Sequence, residues 1–413
     1  MYYIVQYRKQ QKGVKMKKLK ISVAGCSLAD FLYADIDFNS PAFRSCASIR
    51  DGDGGLQIGK LIFADALEKF KGAPYAELLH SLTGGRAPDK KNLGGPAIVG
   101  AINAAQILSD HPVEFDFYGA TGKDECGEFI RSVIAKTPLD TSHYIYVDGP
   151  SPCSDVLSDP RAHNGKGERS FINTIGACYN YSPAELGEEF FRADVVWFGA
   201  TALVPQLHNS LTALLKKAKD NGALTVVSTV FDFINEAKNP DGRWPMGDGD
   251  TAYKYIDLLL VDWDEAVRLT GETTLEGIHK FLSASGISAY SITHGAKDFY
   301  VWSDGRVFKK TDLSVMPVSA LVDEDLAAHP EQRGDTTGCG DNFAGGFVSS
   351  LVRQLSDGEA LGSFCLKDAC AWAAASGGFA CFCLGGTYLE KAPGDKRGKL
   401  QRYHDAYFTQ IAK

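Results

Sequence analysis

Residues 334–346 read Gly-Asp-Thr-Thr-Gly-Cys-Gly-Asp-Asn-Phe-Ala-Gly-Gly. Gly338 and Gly340 bracket one small residue and lead into Asp341. Beyond it, Phe343, Ala344, Phe347, Val348 and Leu351 fall at helical spacing. The stretch predicts a tight turn from Gly338 to Asp341 whose backbone N–H groups open onto a helix N-terminus. Orphan amides and the helix dipole both favour an anion there. A carboxylate at the mouth of such a site repels phosphate. It is useful if it takes a proton from an attacking hydroxyl while the amides hold the phosphoryl group under attack. Taken bare, Gly-x-Gly-Asp is also what a glycine turn before an Asp-capped helix looks like.

A chain of 413 residues can bury one large α/β core or two smaller ones. Its net charge of −8 argues against nucleic acid as the main partner. Ten cysteines without a C-x-x-C spacing disfavour zinc ribbons and thioredoxin chemistry. Cys381 and Cys383, two apart in an apolar stretch, read as buried free thiols of a protein in the reducing cytoplasm. The first twenty residues carry Arg8, Lys9, Lys12, Lys15, Lys17, Lys18 and Lys20 with no apolar segment, so no secretion signal is read. Met16 stands just before Lys17-Lys18-Leu19-Lys20-Ile21, which makes residues 1–16 an expected disordered extension. The run 369–387 is too interrupted by Gly and Ser to span a membrane and reads as a buried helix followed by a turn.

Along the chain, 21–25 and 114–118 read as strands. From Asp194 onward, strands over 195–198, 224–229 and 258–261 alternate with helices over 204–221 and 264–269. Such alternation predicts a parallel sheet with helices on its faces. Gly54-x-x-x-x-Gly59-Lys60 nearly spells a P-loop. Leu61 stands where the magnesium-ligating hydroxyl belongs, so the stretch reads as a turn before a helix. Gly25-Cys26-Ser27-Leu28-Ala29 is a nucleophile elbow without its last glycine, which argues against a hydrolase.

The string Asp335-Thr336-Thr337-Gly338-x-Gly340-Asp341-x-Phe343-x-Gly345-Gly346-Phe347 resembles the C-terminal signature of the ribokinase-like (PfkB-type) carbohydrate kinases. The resemblance implies an α/β, ribokinase-like fold: a central, mostly parallel sheet with helices on both faces and a small β lid. It implies one kinase domain over 17–413, with lid segments within 31–60 and 145–178. Asp341 would be the catalytic base, and the amides of Gly338, Cys339 and Gly340 an anion hole for the phosphates of ATP. Asp335 and Thr337 would form a monovalent-cation loop, with K+ the expected ion.

Further residues take implied roles from the same resemblance. Asp30 falls where the family binds sugar hydroxyls, a duty suited to a carboxylate that accepts two hydrogen bonds. Asn92-Leu93-Gly94-Gly95-Pro96-Ala97 resembles the first signature, in which paired glycines let substrate lie against backbone. Val99 stands where many members carry a sugar-contacting Asn, and Asn103 is one turn too far to replace it. Asp124 matches a helix-capping Asp. Asp262 and Glu265 match an N-x-x-E motif, with Asp in place of Asn, and an acidic pair can hold a hydrated Mg²⁺. The plain alternative is a capping Asp and a surface Glu. Thr293 and Gly295 match part of an ATP-phosphate loop whose last Gly is Asp298 here. Arg169 reads equally as a substrate contact or a lid turn residue.

The function implied is ATP-dependent phosphorylation of a hydroxymethyl group on a sugar or sugar-like small molecule. ATP and Mg²⁺ would be required, and exposed lid strands would pair two copies into a homodimer. Two other readings stand beside it: a nucleoside kinase on the same fold, and a non-catalytic sugar or nucleotide sensor. The departures at Val99, Asp262 and Asp298 motivate the sensor, and the intact Asp341 opposes it.

Overall fold

The computed structural model describes residues 16–412 apart from 51, 163–166 and 241. The expected extension over 1–16 lies, save Met16, outside the described residues. Side chains alternate along the central strands, as a period of two requires. Val195 and Trp197 enter one apolar cluster, and Val196 and Phe198 enter another on the opposite face.

Nine strands form this sheet: β1 (Leu19–Gly25), β5 (Val113–Thr121), β6 (Tyr144–Tyr146), β9 (Val195–Gly199), β10 (Leu224–Ser228), β11 (Leu258–Asp262), β12 (Ala289–Thr293), β13 (Phe299–Ser303) and β14 (Thr311–Met316). Their order is β14-β13-β12-β11-β10-β9-β1-β5-β6; β13 pairs antiparallel with both β12 and β14, and the other neighbouring pairs are parallel. Helices Pro96–Ile107, Cys339–Ser356, Leu366–Ala380 and Asp395–Gln410 lie on one face. Helices Leu211–Asp220, Trp263–Thr270 and Leu275–Ala284 lie on the other. The fold is ribokinase-like. After β1 the chain returns to the sheet at β5 on one side of β1, and later enters β9 on the other. The strand order therefore reverses at β1, and the crevice beyond the carboxyl ends at such a reversal is where open α/β sheets take ligands.

A second sheet contains β2 (Leu28–Tyr33), β3 (Leu61–Phe63), β4 (Lys90–Gly94), β7 (Cys153–Asp159) and β8 (Glu168–Thr174), in the order β3-β8-β7-β2-β4. Helices Pro41–Cys46, Ala64–Lys71 and Tyr75–Thr83 cover it. They bury Phe43, Leu67, Leu78 and Leu82 against Tyr33, Leu157 and Ile172 of the sheet. The residues between 31 and 92 thus build a helical layer with its own small core.

Three local expectations change. The turn at Gly59 and Lys60 runs into β3 before any helix, because Leu61–Phe63 pair with 171–173 of β8. The helix expected over 204–221 is two pieces, Pro205–His208 and Leu211–Asp220, since Ser210 takes φ −122° and ψ 8°. Cys381 and Cys383 are only partly covered, in the turn that follows Leu366–Ala380. Among the described residues, no helix is long and apolar enough to cross a membrane.

Candidate active site

The helix Cys339–Ser356 starts earlier than its apolar spacing suggested. Gly338 is its N-cap, at φ 75° and ψ 9°, and Asp341 already lies in the first turn. Only glycine adopts this left-handed geometry without strain. A Cβ at 338 would also come within 2.5 Å of Gly386 Cα. The turn leans on the 381–386 loop: Gly334 N donates to Cys381 O at 2.8 Å and Asp335 N to Cys383 O at 2.9 Å. Asp335 ties the two together, accepting from Thr337 N at 2.8 Å and from Gly385 N at 3.3 Å. Cys339 N makes one long bond, 3.3 Å, to Thr336 O. The amides of Gly340 and Asp341 follow it in the first turn, where no carbonyl four residues back belongs to the helix.

Carboxylates converge on this turn. Burial pushes the Asp341 carboxyl up to about 7. Asp30, on β2, is also pushed up to about 7, first by burial and then by the charges of Asp341 and Asp335, while Arg169 opposes the shift. Gly94 sits so close to Asp30 that a Cβ there would overlap the Asp30 carboxylate. The next residue, Gly95, is the N-cap of the helix Pro96–Ile107. Arg169, on β8, donates from Nη1 to Thr337 Oγ1 at 3.1 Å, so the second sheet touches the signature turn through this side chain. The sequence left Arg169 between two readings; in the structure its guanidinium joins β8 of the second sheet to the signature turn.

The motif at 262–265 serves two ends. Asp262 is the N-cap of Trp263–Thr270 in a reciprocal capping box: it accepts from Glu265 N at 2.8 Å, and Glu265 Oε2 accepts from Asp262 N at 3.3 Å. Glu265 is not a surface residue, being 7% exposed, and it also accepts from Thr229 Oγ1. Its carboxyl is raised to about 8 by burial and by the charge of Asp262, with Asp341 adding to the same field. Thr293 stands opposite Asp262 in the β11–β12 register, and Gly295 follows in the turn at φ 59°. His294 stacks on Trp263, with ring centroids 5.1 Å apart. Asp124 caps Glu125–Ile134, as the resemblance implied.

Sequence reasoning missed Asn342, whose side chain donates to Gly338 O at 2.8 Å and to Gly386 O at 2.9 Å. Asn103, set aside as too distant for a sugar contact, donates instead to Asn342 O at 2.7 Å. A thiol pair was also missed: Cys339 Sγ lies 3.5 Å from Cys381 Sγ. That hydrogen bond and the charge of Arg333 draw the Cys381 thiol down to about 7. No spacing in the chain signals either arrangement.

The profile of the pfkB family carbohydrate kinases matches residues 90–392. Adenosine kinase 2 of Arabidopsis thaliana is 23% identical over 293 residues, covering 67% of this chain and 76% of the relative. The 2-dehydro-3-deoxygluconokinase of Bacillus subtilis (strain 168) is 26% identical over 254 residues, covering 58% and 69%. The crystal structure of adenosine kinase from Sinorhizobium meliloti shares the fold with a TM-score of 0.65 at 18% identity, covering 93% of this chain and 100% of that one. With the profile spanning Gly94 and Gly95, the 262–265 motif and the signature helix, this chain belongs to the pfkB family and is a carbohydrate or nucleoside kinase.

Proposed function

We propose that this kinase transfers the terminal phosphoryl group of ATP to a hydroxymethyl group of a sugar or sugar-like small molecule, with Asp341 as the general base. The observation that carries the reading is the place of Asp341. It stands in the first turn of a glycine-capped helix, within the electrostatic reach of Asp30 and Glu265. Its carboxylate takes the proton of the acceptor hydroxyl as that oxygen attacks the γ-phosphorus and the bond to ADP breaks. The amides of Gly338, Cys339 and Gly340 spread the charge that builds on the phosphoryl oxygens. Asp30 and the backbone at Gly94 and Gly95 hold the acceptor. Thr293 and Gly295 line the phosphates of ATP.

Mg²⁺ fits the charge of this site. Glu265 is a buried carboxyl whose neighbours are other carboxyls, which a nearby dication relieves. Asp262 and Glu265 would hold it through water, and the ion would neutralise charge on the transferred group. The residues expected for K+ already carry hydrogen bonds. Both Asp335 oxygens accept backbone amides, and Thr337 Oγ1 accepts from Arg169. No step is assigned to K+.

The second sheet acts as the lid in this reading, with Arg169 as its contact at the signature turn. Among the described residues its outer strand β3 pairs with β8 alone, which leaves an edge for a second copy. Ten free cysteines support a cytoplasmic setting.

A nucleoside acceptor is the second reading. Val99 is 2% exposed and faces Gly386, so it supplies no polar contact to a sugar. Adenosine kinases also stand among the relatives. A coupled ADP-release assay on pentoses, hexoses, sugar acids and nucleosides decides between the two. The proposal predicts turnover on a sugar-type acceptor that Asp341→Asn abolishes. Turnover confined to nucleosides would establish the second reading. ADP release no greater with any acceptor than with ATP alone would defeat both.

A further inference from the structure

Lys396 is a buried cation that the reaction above does not use. It lies in the first turn of Asp395–Gln410 and is 2% exposed. A cation at a helix N-terminus is opposed by the helix dipole. Among the described residues no carboxylate lies within ion-pair distance of its Nζ; Glu390 accepts only from the Lys396 backbone N–H, at 2.8 Å. Nζ donates to Asn342 Oδ1 at 2.8 Å. The Tyr388 ring lies 5.9 Å from Nζ, burial draws the amine down to about 7, and an apolar side chain of similar length would be buried at less cost.

The bond to Asn342 has a specific effect. A side-chain amide has two orientations, and the partners of its oxygen and nitrogen decide between them. Nζ donates in either protonation state, which directs Oδ1 toward Lys396 and Nδ2 toward Gly338 O and Gly386 O. The same residue accepts from Asn103 through its backbone carbonyl. Asn342 therefore clamps the N-cap of the signature helix to the 381–386 loop, and Lys396 holds the clamp from its oxygen side. Asp341 is the adjacent residue.

The geometry points to Lys396 as a positioning residue for phosphoryl transfer: acting through Asn342, it holds the Gly338–Asp341 turn in register with the phosphoryl group. This rests on the proposed reaction. It assigns Lys396 no contact with either substrate, so the loss should fall on kcat and leave the KM for ATP nearly unmoved. Displacements of a fraction of an ångström in such a turn are enough to slow a positioned reaction.

The test is a double-mutant cycle with Lys396→Met, Asn342→Leu and the double variant, in which two apolar side chains face each other and no buried ammonium is stranded. Each is expected to lose about tenfold in kcat. The KM for ATP should stay within about twofold, and the double variant should be no slower than the slower single one. A double variant with wild-type kcat, or losses that multiply, overturns the proposal. Hydrogen exchange supplies a readout independent of turnover. Amides of 334–343 and 381–387 should exchange faster in the Lys396→Met and double variants while the central sheet does not change. Unchanged exchange in both segments of the double variant overturns the clamp. A wild-type chain without turnover counts against the reaction, and the exchange measurement still decides the clamp.

Discussion

At the scale of single residues, Asp341 is the proposed base, and its environment sets when it can act. A base must be unprotonated, and burial holds this carboxyl near 7. kcat/KM should therefore climb with pH up to about 7 and level off above. A profile flat from pH 5 to 8 would move the base elsewhere. Asp341→Asn should lower kcat about a thousandfold. The same raised carboxyl affects stability. Between its unfolded pKa, about 4, and its folded pKa, the native state holds the proton and the unfolded state does not. Stability from this group is therefore present at low pH and is lost as pH rises towards 7. Asp341→Asn should raise the melting temperature by about 2 °C at pH 8 and by less at pH 5. Thermal scans at the two pH values check the sign. Asp341 was legible because its neighbours are glycines that only a special turn needs. Asp262 was half legible: its chemistry can be read from the chain, but the same carboxylate also caps a helix. Lys396 was not legible, because its partner is 54 positions away and a lysine on its own says nothing about burial.

At the scale of elements, helix-on-helix fit holds the signature turn in place. The helices Pro96–Ile107 and Cys339–Ser356 cross so closely at Gly345 that a Cβ there would overlap Gly100 O and come within 2.9 Å of Asn103. Gly345→Ala should push the helices apart, at a cost of about 1–3 kcal/mol measured by urea unfolding. Turnover should fall with it, because Asn103 also holds Asn342. An alanine variant with unchanged stability would mean that the crossing is slack. The alternation of strands and helices after 194 was readable, since each strand buries both faces and each helix one. The break at 209–210 was not. Apolar spacing continues across it, and only the backbone at Ser210 reveals the change of direction. The three helices over the second sheet were hidden for another reason. They bury a core separate from the main one, which a pattern search tuned to one sheet passes over.

At the scale of the molecule, the second sheet meets the signature turn at the site, where the Arg169 guanidinium bonds Thr337. Arg169→Ala should loosen β7 and β8 in the ligand-free protein. Hydrogen exchange in 153–159 and 168–174 should quicken several-fold while β9 to β12 keep their protection. Equal exchange in the variant would show that other contacts hold the second sheet down. The central sheet could be foreseen from the chain. The contact between the signature turn and the second sheet could not, since Arg169 and Thr337 lie 168 positions apart.

The signature helix is fastened at both ends by distant parts of the polypeptide. The Lys17 N–H reaches Ser356 O at 2.7 Å, and Lys396 grips the first turn from the other side. A nascent chain can condense its strands early, yet the catalytic pocket stays unfinished until the ribosome has passed codon 396. A product released short of that point lacks the hold on the first turn and also Leu400, Tyr403 and Tyr407, which complete the apolar layer on that helix's face of the sheet.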